Sequence, residues 1–322
     1  MSLARPGGEV DVTVLVPAKD EAENLQEFVK QFADALEPVD YTCELVVIDD
    51  GSRDGTGRLL EDLARRHAFL RVVTHRTQRG IAAALRSGGT AARGEIFVFY
   101  PADLQFTPAE IPNLVAPIRS GEADIVTGRK QGAYEKQFVS GIYNRLCRWL
   151  FGVRVTDLNA VKAYRRDVMR VVPDRPDWHR FMVVIAAVDG FRVAEVPVTL
   201  HPRRAGKSKF GLGRIPVGIT DLLSVWFQLR FGRKPMLFFG VFGGFLFALG
   251  FLVGVIALIL RFGYGFGFRP FLDLVMVLVI TGVALFGFGL VGEMLADLRQ
   301  EMRAIGERLD RVATGLQRED DE

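Results

Sequence analysis

The chain is poor in cysteine and histidine. Its two cysteines, Cys43 and Cys147, have no metal-binding spacing, which excludes a thiolate metal site and fits a reducing compartment. His75, His179 and His201 share no ligand spacing, so an imidazole-built metal cluster is not expected either. The glycines between Gly80 and Gly89 lack a following Gly-Lys-Ser/Thr, and Gly206-Lys207-Ser208 lacks a strand-loop-helix setting, so neither reads as a triphosphate-binding loop. No apolar signal peptide is read at the start; residues 1–9 are polar and expected to be disordered. The net charge is only +3, and no nucleic-acid partner is expected.

What is present begins with Val46 to Thr56, VVIDDGSRDGT. An apolar run ends on adjacent carboxylates, Asp49 and Asp50. A turn of Gly51, Ser52, Asp54 and Gly55 follows, then a helical pattern from Gly57 to Arg66. A buried strand that ends in acids puts them at the carboxyl edge of a sheet, where open α/β sheets bind ligands. Acids there can hydrogen-bond a base or ribose, or help hold a metal on phosphate; Asp, Gly and Ser are also ordinary turn residues. Two further edges share the pattern. The strand Val10 to Val16 runs into Pro17-Ala18-Lys19-Asp20-Glu21-Ala22-Glu23-Asn24 and a helix to about Leu36. The strand Glu95 to Tyr100 runs into Pro101-Ala102-Asp103-Leu104-Gln105. This alternation of strand and helix implies one α/β domain on a parallel sheet with one shared site. Asp103 and Gln105 lie two apart, so in an extended segment both oxygens would face one cation. All-oxygen ligation suits Mg2+ or Mn2+, completed by a substrate diphosphate. The other reading of Asp103 is a helix cap before Pro108-Ala109-Glu110.

Together, PAKDEAENL, VVIDDGSRDGT, RGIAAALRSGG, PADLQFTPAEI and HPRRAGKSKFGLGR resemble the family 2 glycosyltransferases, in the branch of dolichyl-phosphate mannose synthase and the bacterial polyprenyl-phosphate glucosyltransferases. The resemblance spans about Val12 to Trp226. It implies a GT-A fold, a Rossmann-like α/β domain that binds a nucleotide-sugar (a UDP- or GDP-hexose) with Mg2+ or Mn2+. It also implies inverting transfer of glucose or mannose to a polyprenyl phosphate such as undecaprenyl or dolichyl phosphate. By the same resemblance, Pro17, Lys19, Glu21, Asp49, Asp50, Asp103 and Gln105 bind the nucleotide-sugar. Asp103 and Gln105 bind the metal, Asp103, Asp157 and Arg129 serve catalysis, and Arg129, Arg203, Ser208 and Lys209 meet the acceptor phosphate. Two positions depart from the pattern: Pro101 replaces the first Asp of D-x-D-x-Q, and Lys19-Asp20 replace the more usual Asn-Glu. The metal then rests on Asp103, Gln105 and the diphosphate itself. A transferase with another lipid, glycan or protein acceptor is a competing reading. So is a catalytically weakened scaffold, prompted by Pro101.

The tail is different in kind. Pro235 to Leu260 carries no charge, and Phe271 to Gly292 carries only Asp273. Each is long enough to cross a hydrocarbon core of about 30 Å, which takes ~20 residues. Two transmembrane helices are therefore expected within residues 233–293, at about 235–260 and 271–292. From Arg203 to Lys234 there are eight Lys or Arg and one acid, Asp221. That belt suits the cytoplasmic leaflet and puts the catalytic domain (10–212) and the C-terminus on the cytoplasmic side of the inner membrane. Ile215 to Phe231, within 213–232, is very apolar. It reads as an interfacial helix with Trp226 at headgroup depth, or as a helix packed on the catalytic domain. In residues 294–322, Leu295, Leu298, Met302, Ile305, Leu309, Val312 and Leu316 alternate at spacings of three and four. This seam reads as a coiled coil between protomers of a dimer or tetramer, or as an amphipathic helix docked on its own chain.

Overall fold

The computed structural model describes the chain except residues 1, 2, 5, 6, 132–136, 154, 159, 174, 176, 177, 203–214, 266, 268, 321 and 322. Its contacts divide it into two units, Met1–Val217 and Gly218–Glu322.

In the first unit β1 (Val12–Ala18), α1 (Ala22–Leu36), β2 (Cys43–Asp49), α2 (Thr56–Arg66), β3 (Leu70–Thr74), α3 (Ile81–Ala91) and β4 (Ile96–Phe99) alternate. They are followed by α4 (Ile111–Arg119), β5 (Ile125–Gln131), α5 (Gln137–Phe151), β6 (Lys162–Arg165), α6 (Val168–Val171), α7 (Met182–Val188) and β7 (Val193–Thr199). The strands form one seven-stranded sheet in the order β3-β2-β1-β4-β6-β5-β7. Every residue of β2 is buried, because helices cover both faces; that is why its sequence is an apolar run rather than an alternation. On one face Val14 and Val16 pack with Phe28 and Phe32 of α1 and Leu114 of α4. On the other, α3 comes so close that a Cβ on Gly88 would lie 2.7 Å from Ile48 Cδ1.

The three strands read in the sequence, β1, β2 and β4, are parallel as expected, but the sheet as a whole is mixed. β6 runs antiparallel to both β4 and β5. The chain leaves β5 at the carboxyl edge and enters β6 from that same edge, so β6 must run backwards. Its first residue, Lys162, therefore sits opposite Phe99 and Thr127, at the end of the sheet where the other loops meet. Ala4 donates its amide to the Cys43 carbonyl at 2.8 Å, at the start of β2.

The second unit holds all but the first three residues of α8 (Ile215–Phe231), with α9 (Pro235–Gly263) and α10 (Arg269–Asp320). Two of its helices are long and apolar enough to cross a bilayer, and each most apolar stretch is only 11% buried. The expected second span and the heptad tail are one continuous helix, α10. The Phe227 ring of α8 meets Phe238 of α9 edge-on and Phe239 at a tilt, each with ring centroids 5.5 Å apart. The backbones of α9 and α10 touch at glycines: a Cβ on Gly243 would meet the Gly282 carbonyl at 2.7 Å, and one on Gly282 would meet the Phe247 amide at 2.7 Å. In lipid there is no hydrophobic force between helices, so close packing of small residues has to hold such a pair. At the start of α9 the Met236 amide donates to the Glu293 carboxylate at 3.1 Å, a favourable anion at a helix N-terminus.

Gly282→Leu should lower the thermal midpoint in detergent, because the atom it would strike is backbone; overpacking of this kind costs about 1–3 kcal/mol. Gly244→Leu is the matched control, since nothing lies within 4 Å of a Cβ there. Equal midpoints for the two variants would contradict the packing.

Candidate active site

The loops that follow β1, β2 and β3 leave from adjacent positions, since Ala18 pairs with Asp49 and Asp49 with Thr74. The residues of VVIDDGSRDGT join these loops to one another. Asp49 accepts the Ser52 amide at 2.9 Å. The Ser52 hydroxyl accepts the Asp20 amide at 2.9 Å, and the Asp20 carboxylate accepts the Arg53 amide at 2.7 Å. Thr56 accepts the Glu21 amide at 3.0 Å, and Asp54 accepts the Ala22 amide at 3.2 Å. Lys19 donates to the Gly51 carbonyl at 2.7 Å. Gly51 has φ +71°, and a Cβ there would lie 2.8 Å from the Thr77 backbone, so only glycine fits.

Asp50 is buried and faces three donors: the His75 ring Nδ1 at 2.8 Å and the amides of Arg79 and Gly80, each at 2.8 Å. His75 Nε2 reaches the Ser87 hydroxyl at 2.9 Å. Burial alone would raise the Asp50 pKa. The hydrogen bonds from His75, Arg79 and Gly80 outweigh it and hold the carboxyl below its ordinary value. Asp50 thus ties the loop between β3 and α3 to the end of β2. Sequence reasoning missed His75 in this role; its one signal was its place immediately after a strand.

Beyond β4, Asp103 and Gln105 are half-buried and do not lie on an extended segment, which corrects the geometry expected from their spacing. Leu104 between them has φ +55°. Its side chain is drawn into the core, where it is 6% exposed. Asp103 accepts the Gln105 amide at 3.2 Å, so the pair closes a tight bend. The Gln105 carbonyl accepts the His201 amide at 2.8 Å. Pro101 offers no side-chain oxygen. Among the described residues no group of three His, Cys, Asp or Glu is placed to hold a metal. One carboxylate and one amide oxygen at a bend still fit a hard divalent cation that takes its other oxygens from a diphosphate and water.

The third part of the edge is cationic. Arg129, near the end of β5, is exposed, and Lys130 beside it lies 3.4 Å from the Asp157 carboxylate. Asp157 is buried; its amide donates to Glu195 at 3.0 Å, and its carbonyl accepts the Thr127 hydroxyl at 3.0 Å. Pro17, Lys19, Glu21, Asp49, Asp50, Asp103, Gln105, Arg129 and Asp157 thus all lie in loops or strand ends at the carboxyl edge. Arg203, Ser208 and Lys209 lie outside the described residues.

His75→Ala leaves the buried Asp50 carboxylate one donor short and should cost about 1–3 kcal/mol. The Asp50 pKa is depressed on folding, so its contribution is complete above the unfolded carboxyl value of about 4 and fades as pH falls through the lower folded value. Acid unfolding followed by circular dichroism should therefore show a smaller loss of stability as pH falls below about 4 in His75→Ala than in wild type.

A family model described as Glycosyl transferase family 2 matches residues 13–164. A dodecaprenyl-phosphate galacturonate synthase from Rhizobium johnstonii is 32% identical over 304 residues, covering 90% of this chain and 89% of the relative. An undecaprenyl-phosphate 4-deoxy-4-formamido-L-arabinose transferase from Shewanella sediminis is 28% identical over 303 residues, covering 91% of this chain and 89% of the relative. Glucosyl-3-phosphoglycerate synthase from Mycobacterium tuberculosis, crystallised with Mn2+, UDP and glucosyl-3-phosphoglycerate, shares the fold. The TM-score is 0.54 at 21% identity, over 70% of this chain and 85% of that one. The fold is that of a GT-A domain, and the similarity to the Rhizobium synthase runs along nine-tenths of the sequence: the chain belongs to glycosyl transferase family 2.

Proposed function

We propose that this chain is a membrane-bound inverting transferase that moves a sugar from a nucleoside diphosphate to a polyprenyl phosphate. One observation carries the reading. The similarity to transferases named for dodecaprenyl and undecaprenyl phosphate covers about 90% of this chain, too much to leave out both apolar helices of the tail. The donor is a UDP- or GDP-sugar, with glucose, mannose, galacturonate and a formamido-arabinose as the candidates.

The loops after β1 and β2 would seat the nucleotide through Pro17, Lys19, Glu21, Asp49 and Asp50, the last mainly by holding the loop that opens α3. Asp103 and Gln105 would hold Mg2+ or Mn2+, whose chemistry is to offset charge on the departing diphosphate. The nucleophile is a phosphate oxygen. With a second pKa near ~6, a phosphate monoester is mostly dianionic at neutral pH and needs no general base. Asp157, paired with Lys130, serves better as an anchor than as a base. Arg129, Arg203, Ser208 and Lys209 would meet the acceptor phosphate, because two polyanions repel unless cations lie between them. The basic stretch from Arg203 to Lys234 supports a cytoplasmic catalytic unit, with α8 lying in the interface of the inner membrane.

A thermal-shift panel of UDP- and GDP-sugars with Mn2+ or Mg2+ tests the donor side. One nucleotide-sugar should raise the midpoint more than the free nucleotide does. Asp103→Ala should abolish transfer and Gln105→Ala should weaken its metal dependence. Near wild-type turnover in Asp103→Ala, with unchanged metal dependence, would remove Asp103 from the site.

We also propose a dimer or tetramer joined by the tail. Leu295, Leu298, Met302 and Ile305 are each more than half exposed on α10, as an unpartnered seam would be. Deleting residues 295–322, or placing Asp at Leu298, Ile305 and Leu309, should loosen the assembly in light scattering or native mass spectrometry and leave donor binding intact. An unchanged oligomer after both changes would assign assembly to other surfaces.

A further inference from the structure

Lys162 opens β6 and is only 1% exposed. A lysine is almost never buried this fully unless its charge is paired. Among the described residues its ammonium makes one hydrogen bond, to the Ala160 carbonyl at 2.8 Å. The Phe99 ring of β4 faces it at 5.8 Å, within the range of a cation–π contact. The charged groups around it are Asp157 on the loop before β6, Lys130 on β5 and Arg180 on the turn Trp178–Phe181. His179 on that turn is neutral: burial, then Lys162 and Arg180, hold its pKa at about 3. Burial lowers the Lys162 pKa, Asp157 opposes that, and Lys130 and Arg180 add to it; the result is about 7.

Asp157 is thus a single buried carboxylate among several cations. It holds Lys130 at 3.4 Å, and Lys130 neighbours the exposed Arg129. Asp157 is fixed from the backbone side as well, by Glu195 and Thr127. A carboxylate fixed at both its backbone and its side chain is a good tether.

We propose that Lys162 is a positioning residue of the transfer site. Its ammonium, held on the Ala160 carbonyl, steadies the loop that carries Asp157, the carboxylate that tethers Lys130, and so sets where the Arg129-Lys130 pair meets the phosphates. Nothing in the sequence motifs marks Lys162; the antiparallel course of β6 brings it there. The inference rests on the reading of this chain as a transferase between two phosphates, and the test keeps the two separable.

The full chain in nanodiscs is assayed with undecaprenyl phosphate and the donor that the thermal-shift panel selects. Lys162→Met should lower kcat about ten- to hundredfold, as a misplaced group does, while donor KM moves less than about threefold. The thermal midpoint should stay or rise, because a desolvated charge has been removed. The wild-type kcat/KM should fall as pH rises through about 7, where Lys162 loses its proton. Lys162→Arg should keep most of kcat and lack that fall. Lys162→Met with Asp157→Asn should be no slower than Asp157→Asn alone, since the two act as a unit. Hydrogen exchange at residues 128–131 should quicken in Lys162→Met.

Wild-type kcat and exchange in Lys162→Met would overturn the proposal. So would a loss of activity that follows a lowered midpoint and that Arg does not restore, which would make Lys162 a packing residue. If the wild-type protein turns over no donor, the functional reading fails while the exchange result still decides the positioning role.

Discussion

The Asp50 carboxylate is buried at the end of β2, and it can stay ionised there because His75, Arg79 and Gly80 all donate to it. The shape of the donor half of the edge depends on that one set of bonds. It draws the loop between β3 and α3 against β2, so that Thr77 lies on Gly51. Gly51 in turn receives Lys19 from β1, and Asp20 and Ser52 close the remaining gap. Three loops that are distant in sequence acquire one shape before any substrate arrives. Preorganised polar groups of this kind do not have to reorient when charge develops on a ligand.

The edge is divided by charge. Carboxylates gather after β1, β2 and β4, where a nucleotide and a hard cation would be bound. Cations gather at β5, β6 and the turn Trp178–Phe181, where Arg129, Lys130, Lys162 and Arg180 lie around Asp157. A reaction between a diphosphate and a phosphate needs this division, because like charges must approach within bonding distance. The buried members are also the costly ones. Lys162 sits in a desolvated position that lowers its pKa to about 7, a cost the fold carries in order to place charge there.

Much of this was legible in the sequence because the strand ends are local features. Apolar runs that stop on Asp49-Asp50 or on Pro101-x-Asp103 mark an edge wherever the strands lie in the sheet. What was not legible comes from long-range geometry. His75 meets a carboxylate 25 residues away, and no spacing rule connects them. No motif marks Lys162; the antiparallel course of β6 is what brings it to the edge. The Asp103–Gln105 geometry failed for a different reason: core packing of Leu104 forces a left-handed backbone that a period-two argument does not contain. In the tail, hydropathy located both long apolar stretches. It could not show that the second one and the heptad seam are a single helix, because composition changes there while the backbone does not.

The acceptor decides the function. The most direct measurement supplies the full-length protein in nanodiscs with undecaprenyl phosphate and the nucleotide-sugar that stabilises it, then analyses the lipid fraction by mass spectrometry. The account predicts a polyprenyl phosphate heavier by one glycosyl residue, formed in step with release of the nucleoside diphosphate. Release of nucleoside diphosphate with the sugar found on another lipid, on protein or free in solution, and with the polyprenyl phosphate unchanged, would contradict it.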